Sequence, residues 1–179
     1  MDIKTILITG ASKGIGASFS SFLASEGFRI IGIARNKDQL IKTFNSLPNQ
    51  NLNHEILPID ITDFNLVNEK LSHINIYCLI NNAGIAQSKL LQEVSTDEIN
   101  QIMNINLISA LNISNAIIPK MILNKIGRII NISSILGLNP LKFVGAYSMS
   151  KAALIQMTKS QSIESVSYTH LTLPTKVTV

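Results

Sequence analysis

Short runs rich in Ile, Leu and Val alternate along the chain with longer stretches whose apolar residues recur at helical spacing. That alternation predicts strands joined by helices, as in β-α-β units around a parallel sheet, and so an α/β fold class. Strands are expected at 3–9, 28–34, 55–60, 76–81 and 128–133. Helices are expected after the glycines of 10–16 to about 27, at 37–47 before Pro48, at 63–71, at 96–123 and at 146–164. "STDEIN" supplies a capping hydroxyl and first-turn acids for the long helix, which makes Asp97 and Glu98 helix-start charges. Pro119 is expected to kink that helix near its end. The strands are almost continuously apolar, so the sheet should be covered on both faces.

"ITGASKGIG" joins the first strand to the first helix. Gly10, Gly14 and Gly16 permit a tight turn and close backbone approach to a pyrophosphate, which the next helix N-terminus would face with its N–H groups. The spacing is G-x-x-x-G-x-G, and the β-α-β context on both sides makes it a dinucleotide loop. The second strand closes "IGIARN", where an acid would bind a ribose diol and an arginine would accommodate a 2′-phosphate. Arg35 stands there and Lys13 lies inside the loop. Each alone reads equally well as a solvated surface residue, but together they favour NADP(H) over NAD(H).

Composition narrows the classes. In 179 residues, 46% are hydrophobic and 15% charged, which argues for one packed domain and against disorder. No unbroken apolar run approaches the roughly 18 residues of a membrane span. "MDIKTILITG" lacks the pattern of a signal peptide, and the single Cys78 sits in "INIYCLINN" as buried filler, so a cytoplasmic location is expected. The net charge of +4 comes from scattered basic residues without aromatic interleaving, which gives no support to a nucleic-acid partner. No metal site is expected. His54 and His73 read as surface residues, and Met149 and Met157 as helix packing.

"YSMSK" puts Tyr147 and Lys151 four apart, on one face of a helix. A free tyrosine, with a pKa of about 10, is a poor acid near neutrality, and a nearby ammonium group stabilises its phenolate. "NNAG" closes the fourth strand, "MNINL" lies in the long helix and "INISS" closes the fifth strand. With these in order, the chain resembles the short-chain dehydrogenase/reductase family from residue 3 to about 165, and most closely its 3-oxoacyl-acyl-carrier-protein reductases. The resemblance implies a Rossmann doubly wound sheet in order 3-2-1-4-5. It implies a catalytic tetrad of Asn106, Ser134, Tyr147 and Lys151, with Ser133 the competitor for the serine role. Asn106 would bend the long helix and hold a proton-relaying water. It implies cofactor contacts from Thr9, Gly10, Ser12, Lys13, Gly14, Ile15, Gly16, Arg35, Asp60, Ile61, Asn82, Ala83 and Gly84, and again from Tyr147 and Lys151. Asp60 matches the acid at the adenine ring, and Asn81 to Gly84 the segment that steadies the sheet. The implied reaction moves hydride between NADP(H) and a carbonyl or alcohol, in a homodimer or homotetramer paired through the long and last helices. A cofactor-binding scaffold without turnover is the alternative, and it leaves an intact tetrad without a purpose. Leu136, Leu138, Leu141 and Phe143 either line an apolar substrate pocket or pack a loop.

Residues 166–179 differ in character. They contain no Ile or Asn, and four of the chain's ten threonines. The family's sixth and seventh strands are not recognisable there. "VSYTHLTLPT" is encoded by GTC TCT TAT ACA CAT CTG ACG CTG CCG ACG, which resembles a transposon-end sequencing adapter. Residues 1–165 are therefore expected to be the enzyme's own, 166–179 a non-native tail, and the 179-residue chain an inactive fragment that expresses poorly.

Overall fold

The computed structural model describes residues 3–166. The reading of 166–179 as foreign lies outside them, apart from Val166 at the end of the last helix. Five strands form one parallel sheet: β1 (Thr5–Thr9), β2 (Arg29–Ile33), β3 (Glu55–Leu57), β4 (Cys78–Asn81) and β5 (Arg128–Asn131). Their order is β3-β2-β1-β4-β5, as expected, and Ile8 of β1 faces Gly32 on one side and Ile80 on the other.

The period-2 geometry of a strand sends neighbouring residues into opposite layers. Ile6, Ile8 and Ile30 join Ala24, Leu40 and Phe44, the layer of α1 (Gly14–Ser25) and α2 (Lys37–Asn45). Leu7, Ile31, Ile33 and Leu79 join Val67, Leu71, Ile113 and Ile117, the layer of α3 (Phe64–Leu71) and α5 (Ser109–Leu123). Each fully buried Leu or Ile contributes about 1.5–3 kcal/mol, so both faces hold the sheet. Cys78 is buried filler, and burial pushes its thiol up to about 11.

Two strands stop earlier than the hydrophobic runs suggest. β3 ends at Leu57 because Pro58 has no N–H to extend the ladder. β5 ends at Asn131, and the next carbonyl, that of Ile132, accepts from the Lys151 ammonium at 2.7 Å.

The long helix runs continuously over Thr96–Leu123. It consists of α4 (Thr96–Met103), one π turn (Asn104–Ile108) and α5. Ser95 and Glu98 start it with a reciprocal capping box. By length and apolar content it is fit to cross a membrane, more so than the sequence reading allowed. Here it is a partly buried core helix, with Ile113, Ile117 and Met121 packed in the second layer. The helix shifts its hydrogen-bonding register well before Pro119, in the π turn that contains Asn106.

Its C-terminus is a Schellman motif: the Lys125 N–H donates to Ile122 O and the Ile126 N–H to Met121 O. Lys125 adopts φ +53° at the position that favours glycine, and its side chain is exposed. Lys125→Gly is expected to raise stability by about 1 kcal/mol. A rise in urea midpoint at unchanged slope is the check, and a fall would contradict it.

Several bland readings need correction. His54 is half-buried rather than a surface residue: Nδ1 accepts from the Ile30 N–H at 3.1 Å, and Nε2 lies 2.9 Å from Pro48 O. It stitches β2 to the segment before β3. Met149 is half exposed, so it is not helix packing. Leu138, Leu141 and Phe143 stand exposed instead of filling their loop, whereas Leu136 is half-buried. His73 is exposed as expected.

Candidate active site

The loop after β1 takes its shape from its glycines. Gly10 and Gly14 have φ of +68° and +54°. A Cβ on Gly16 would stand 2.2 Å from Gly10 O, so α1 begins directly against the turn. The ends of β1 and β4 are clamped here, because Thr9 Oγ1 accepts from the N–H groups of Asn82 and Ala83, both at 3.0 Å. Asn82 Nδ2 donates back to Thr9 O at 3.0 Å.

Beyond the strand ends lies a cavity of about 780 Å³. Gly10, Ser12, Lys13, Gly14, Ile15, Arg35, Ile61, Asn82, Ala83 and Gly84 line it, all positions that the family resemblance matches to cofactor contacts. Thr9, Gly16 and Asp60 are not among the residues that line it. The glycine loop, two cations and the start of α1 around one space suit a phosphate-bearing dinucleotide.

Asp60 Oδ1 accepts from the Thr62 N–H at 2.9 Å and the Thr62 hydroxyl at 2.8 Å. Its Oδ2 faces Arg35 Nη1 at 3.8 Å. Burial pushes the Asp60 carboxyl up, but the two Thr62 bonds and the Arg35 charge outweigh it and leave the pKa below its ordinary value. Asp60 is therefore a fixed carboxylate beside the one arginine of the cavity wall.

Helix α6 (Gly145–Val166) packs against the π turn and carries Tyr147 and Lys151. Lys151 is 4% exposed, its Nζ lies 5.7 Å from the Tyr147 ring centroid, and burial pushes its pKa down to about 8. A Cβ on Gly84 would stand 3.3 Å from Asn106 Oδ1 and 3.6 Å from Lys151 Nζ. Gly84 lines the cavity, so both side chains lie just behind its wall. The two serines differ in what their protons do. The Ser133 hydroxyl donates to Lys151 O at 3.0 Å, whereas Ser134 Oγ accepts from the Leu136 N–H at 3.2 Å. Ser134 thus keeps its proton for a ligand oxygen, and Ser133 does not.

Lys151 gives the fold a pH signature. An unfolded lysine keeps the ordinary value of 10.5, so between about 8 and 10.5 the unfolded chain binds the extra proton. Raising the pH through that window therefore favours the folded state, by about 3 kcal/mol across it. Denaturation of wild type and Lys151→Met from pH 7 to pH 10.5 checks this. The wild type should gain on the variant as pH rises, and a constant difference would contradict a buried ammonium.

Asn106 is 1% exposed, in the middle of the π turn. Its Oδ1 accepts from the Ile85 N–H and its Nδ2 donates to Ile85 O, both at 2.8 Å. Nδ2 also donates to Ser150 Oγ at 2.9 Å. Sequence reasoning singled out neither Ile85, Thr62 nor Ser150. Thr62 had a legible signal, a hydroxyl two residues after Asp60. Ser150 lies inside "YSMSK", but a small polar residue there gives no hint of a partner 44 positions away.

The family model for short chain dehydrogenases matches residues 4–170. A 3-oxoacyl-[acyl-carrier-protein] reductase of Vibrio harveyi is 34% identical over 166 residues, covering 90% of this chain and 67% of that protein. A short-chain dehydrogenase from Sphingobium yanoikuyae, solved with NADPH, superposes with a TM-score of 0.86 at 29% identity, over 93% of this chain and 67% of that one. NAD+-bound xylitol dehydrogenase superposes with a TM-score of 0.86 at 27% identity, over 92% and 66%. The chain spans 58–68% of the length of the curated relatives it matches. With the sheet order, the glycine loop and the Tyr147–Lys151 pair in place, the chain belongs to the short-chain dehydrogenase family.

Proposed function

We propose that the chain carries the cofactor site and catalytic residues of an NADP(H)-dependent carbonyl reductase, with 3-oxoacyl thioesters as the substrate class. One observation carries the reading: a buried lysine beside a tyrosine ring, directly behind the wall of a glycine-loop cavity. The oxidoreductase class follows from family membership. Arg35 and Lys13 favour the 2′-phosphate of NADP(H), and the reductase relative supports the substrate class.

Bound NADPH would supply the hydride that a carbonyl carbon accepts. The other groups of the step belong to the chain. Tyr147 donates its hydroxyl proton to the carbonyl oxygen, and Ser134 hydrogen-bonds that oxygen as charge develops. The Lys151 ammonium, anchored on Ile132 O, offsets the negative charge left on the phenol oxygen. Asn106 holds the Gly84–Ile85 wall against the π turn. Reversed, the same steps oxidise a secondary alcohol. Pairing of subunits through the long helix and α6 belongs to this reading, supported by large apolar side chains left in water at Leu123 and Ile163.

The test is turnover by the complete coding sequence with NADPH and an acetoacetyl thioester. Loss of NADPH absorbance matched by 3-hydroxyacyl product supports the reading. Cofactor binding without turnover on any ketone would leave a scaffold instead.

A further inference from the structure

Ser150 has no exposed surface and touches two parts of the site. Its hydroxyl donates to Tyr147 O at 2.7 Å, so only its lone pairs remain to face Asn106. The group opposite must be a donor, and Asn106 Nδ2 stands there at 2.9 Å. That fixes the amide: one Nδ2 hydrogen goes to Ser150, the other to Ile85 O, and Oδ1 is left to accept from the Ile85 N–H. We infer that Ser150 is a positioning residue, which locks the Asn106 amide and thereby ties the Ile85 wall of the cavity to the helix that carries Tyr147 and Lys151.

The physical reason is the second Nδ2 hydrogen. Asn106 is almost wholly buried, so without Ser150 that N–H has no partner, and the amide relieves the cost by tilting away from Ile85. Ile85 itself lines the cavity. The helix does not need the hydroxyl, because alanine is the better helix former. The effect of its loss should therefore appear at Ile85 and not in the global fold.

The consequence for cofactor rests on the proposed NADP(H) reading, whereas the lock itself does not. Amide exchange in the 179-residue chain reads the lock, with Ile80 in the β4 ladder as the internal reference. In Ser150→Ala the Ile85 amide should exchange roughly tenfold faster while Ile80 is unchanged. Ser150→Thr, which retains a hydroxyl, should restore Ile85 protection relative to Ile80 even where an added methyl lowers overall stability. In an Asn106→Ala background, Ser150→Ala should add nothing at Ile85. Unchanged Ile85 exchange, acceleration shared equally by Ile80, or no recovery in Ser150→Thr would overturn the inference. Calorimetry with NADPH forms the second arm, with binding expected to weaken about fivefold in Ser150→Ala. A wild type that does not bind NADPH, with the exchange response intact, would sink the cofactor reading and leave the lock standing. Equal NADPH affinity in both proteins would refute the coupling of the lock to the cavity.

Discussion

Tyr147→Phe, made in the complete coding sequence, is expected to lower the rate of carbonyl reduction on the order of a thousandfold. The substitution removes one oxygen from a half-buried ring and no hydrogen bond recorded among the described residues, so the fold should be untouched. Lys151 would keep its anchor on Ile132 O, and the cavity its shape, so NADPH affinity should fall far less than the rate, by no more than the one contact the resemblance gives Tyr147. The expected pattern is a large fall in kcat with a small change in cofactor binding. A fall in NADPH affinity of the same size would instead make Tyr147 a binding residue. Retained turnover would remove it from the chemistry.

The second large effect is Gly16→Ala, expected to abolish cofactor binding to the extent of a hundredfold or more, about 2.7 kcal/mol. Its Cβ would meet Gly10 O at 2.2 Å and Asn82 Nδ2 at 2.8 Å. Gly10 cannot retreat, because its N–H donates to Ile33 O at 2.8 Å and its own φ is already +68°. Either the turn opens or α1 moves away, and both misplace the helix N-terminus that faces the phosphates. Gly127→Ala is the control. Its Cβ would collide with the Met121 side chain at 2.5 Å, in the second core layer and at the end of β5 opposite the loop. That variant should lose stability with little change in affinity. Similar binding losses in both variants would show that Gly16 acts through general destabilisation.

The two layers follow from features the sequence carries openly, whereas the sheet order was implied by the family resemblance. Continuous apolar runs mark buried strands, and amphipathic stretches mark the helices that cover them. The glycine loop, the cations Lys13 and Arg35, and the Tyr147–Lys151 spacing were legible because local geometry places those residues together. What stayed hidden depends on partners that only the tertiary fold supplies. His54 read as surface because nothing local reveals that Ile30 and Pro48 flank its ring. The end of β5 was overrun because Ile132 O turns to a lysine 19 residues away. The preference for Ser134 over Ser133 came with the family resemblance, and the direction of two hydrogen bonds now gives it a physical ground. The resemblance pointed to a helix irregularity at Asn106, where the structure has a π turn, but not to an amide spent on Ile85 and Ser150.

Cofactor choice is the point at which the account can fail most directly, because Arg35 and Lys13 both lie in the cavity wall. The decisive measurement is calorimetric titration of the chain and its Arg35→Ser variant with NADPH and with NADH. The account predicts that wild type prefers NADPH and that Arg35→Ser loses roughly ten- to a hundredfold in NADPH affinity, the worth of one charge-assisted contact, with NADH unchanged. Equal affinity of the wild type for the two cofactors, or equal losses for both in the variant, would contradict it.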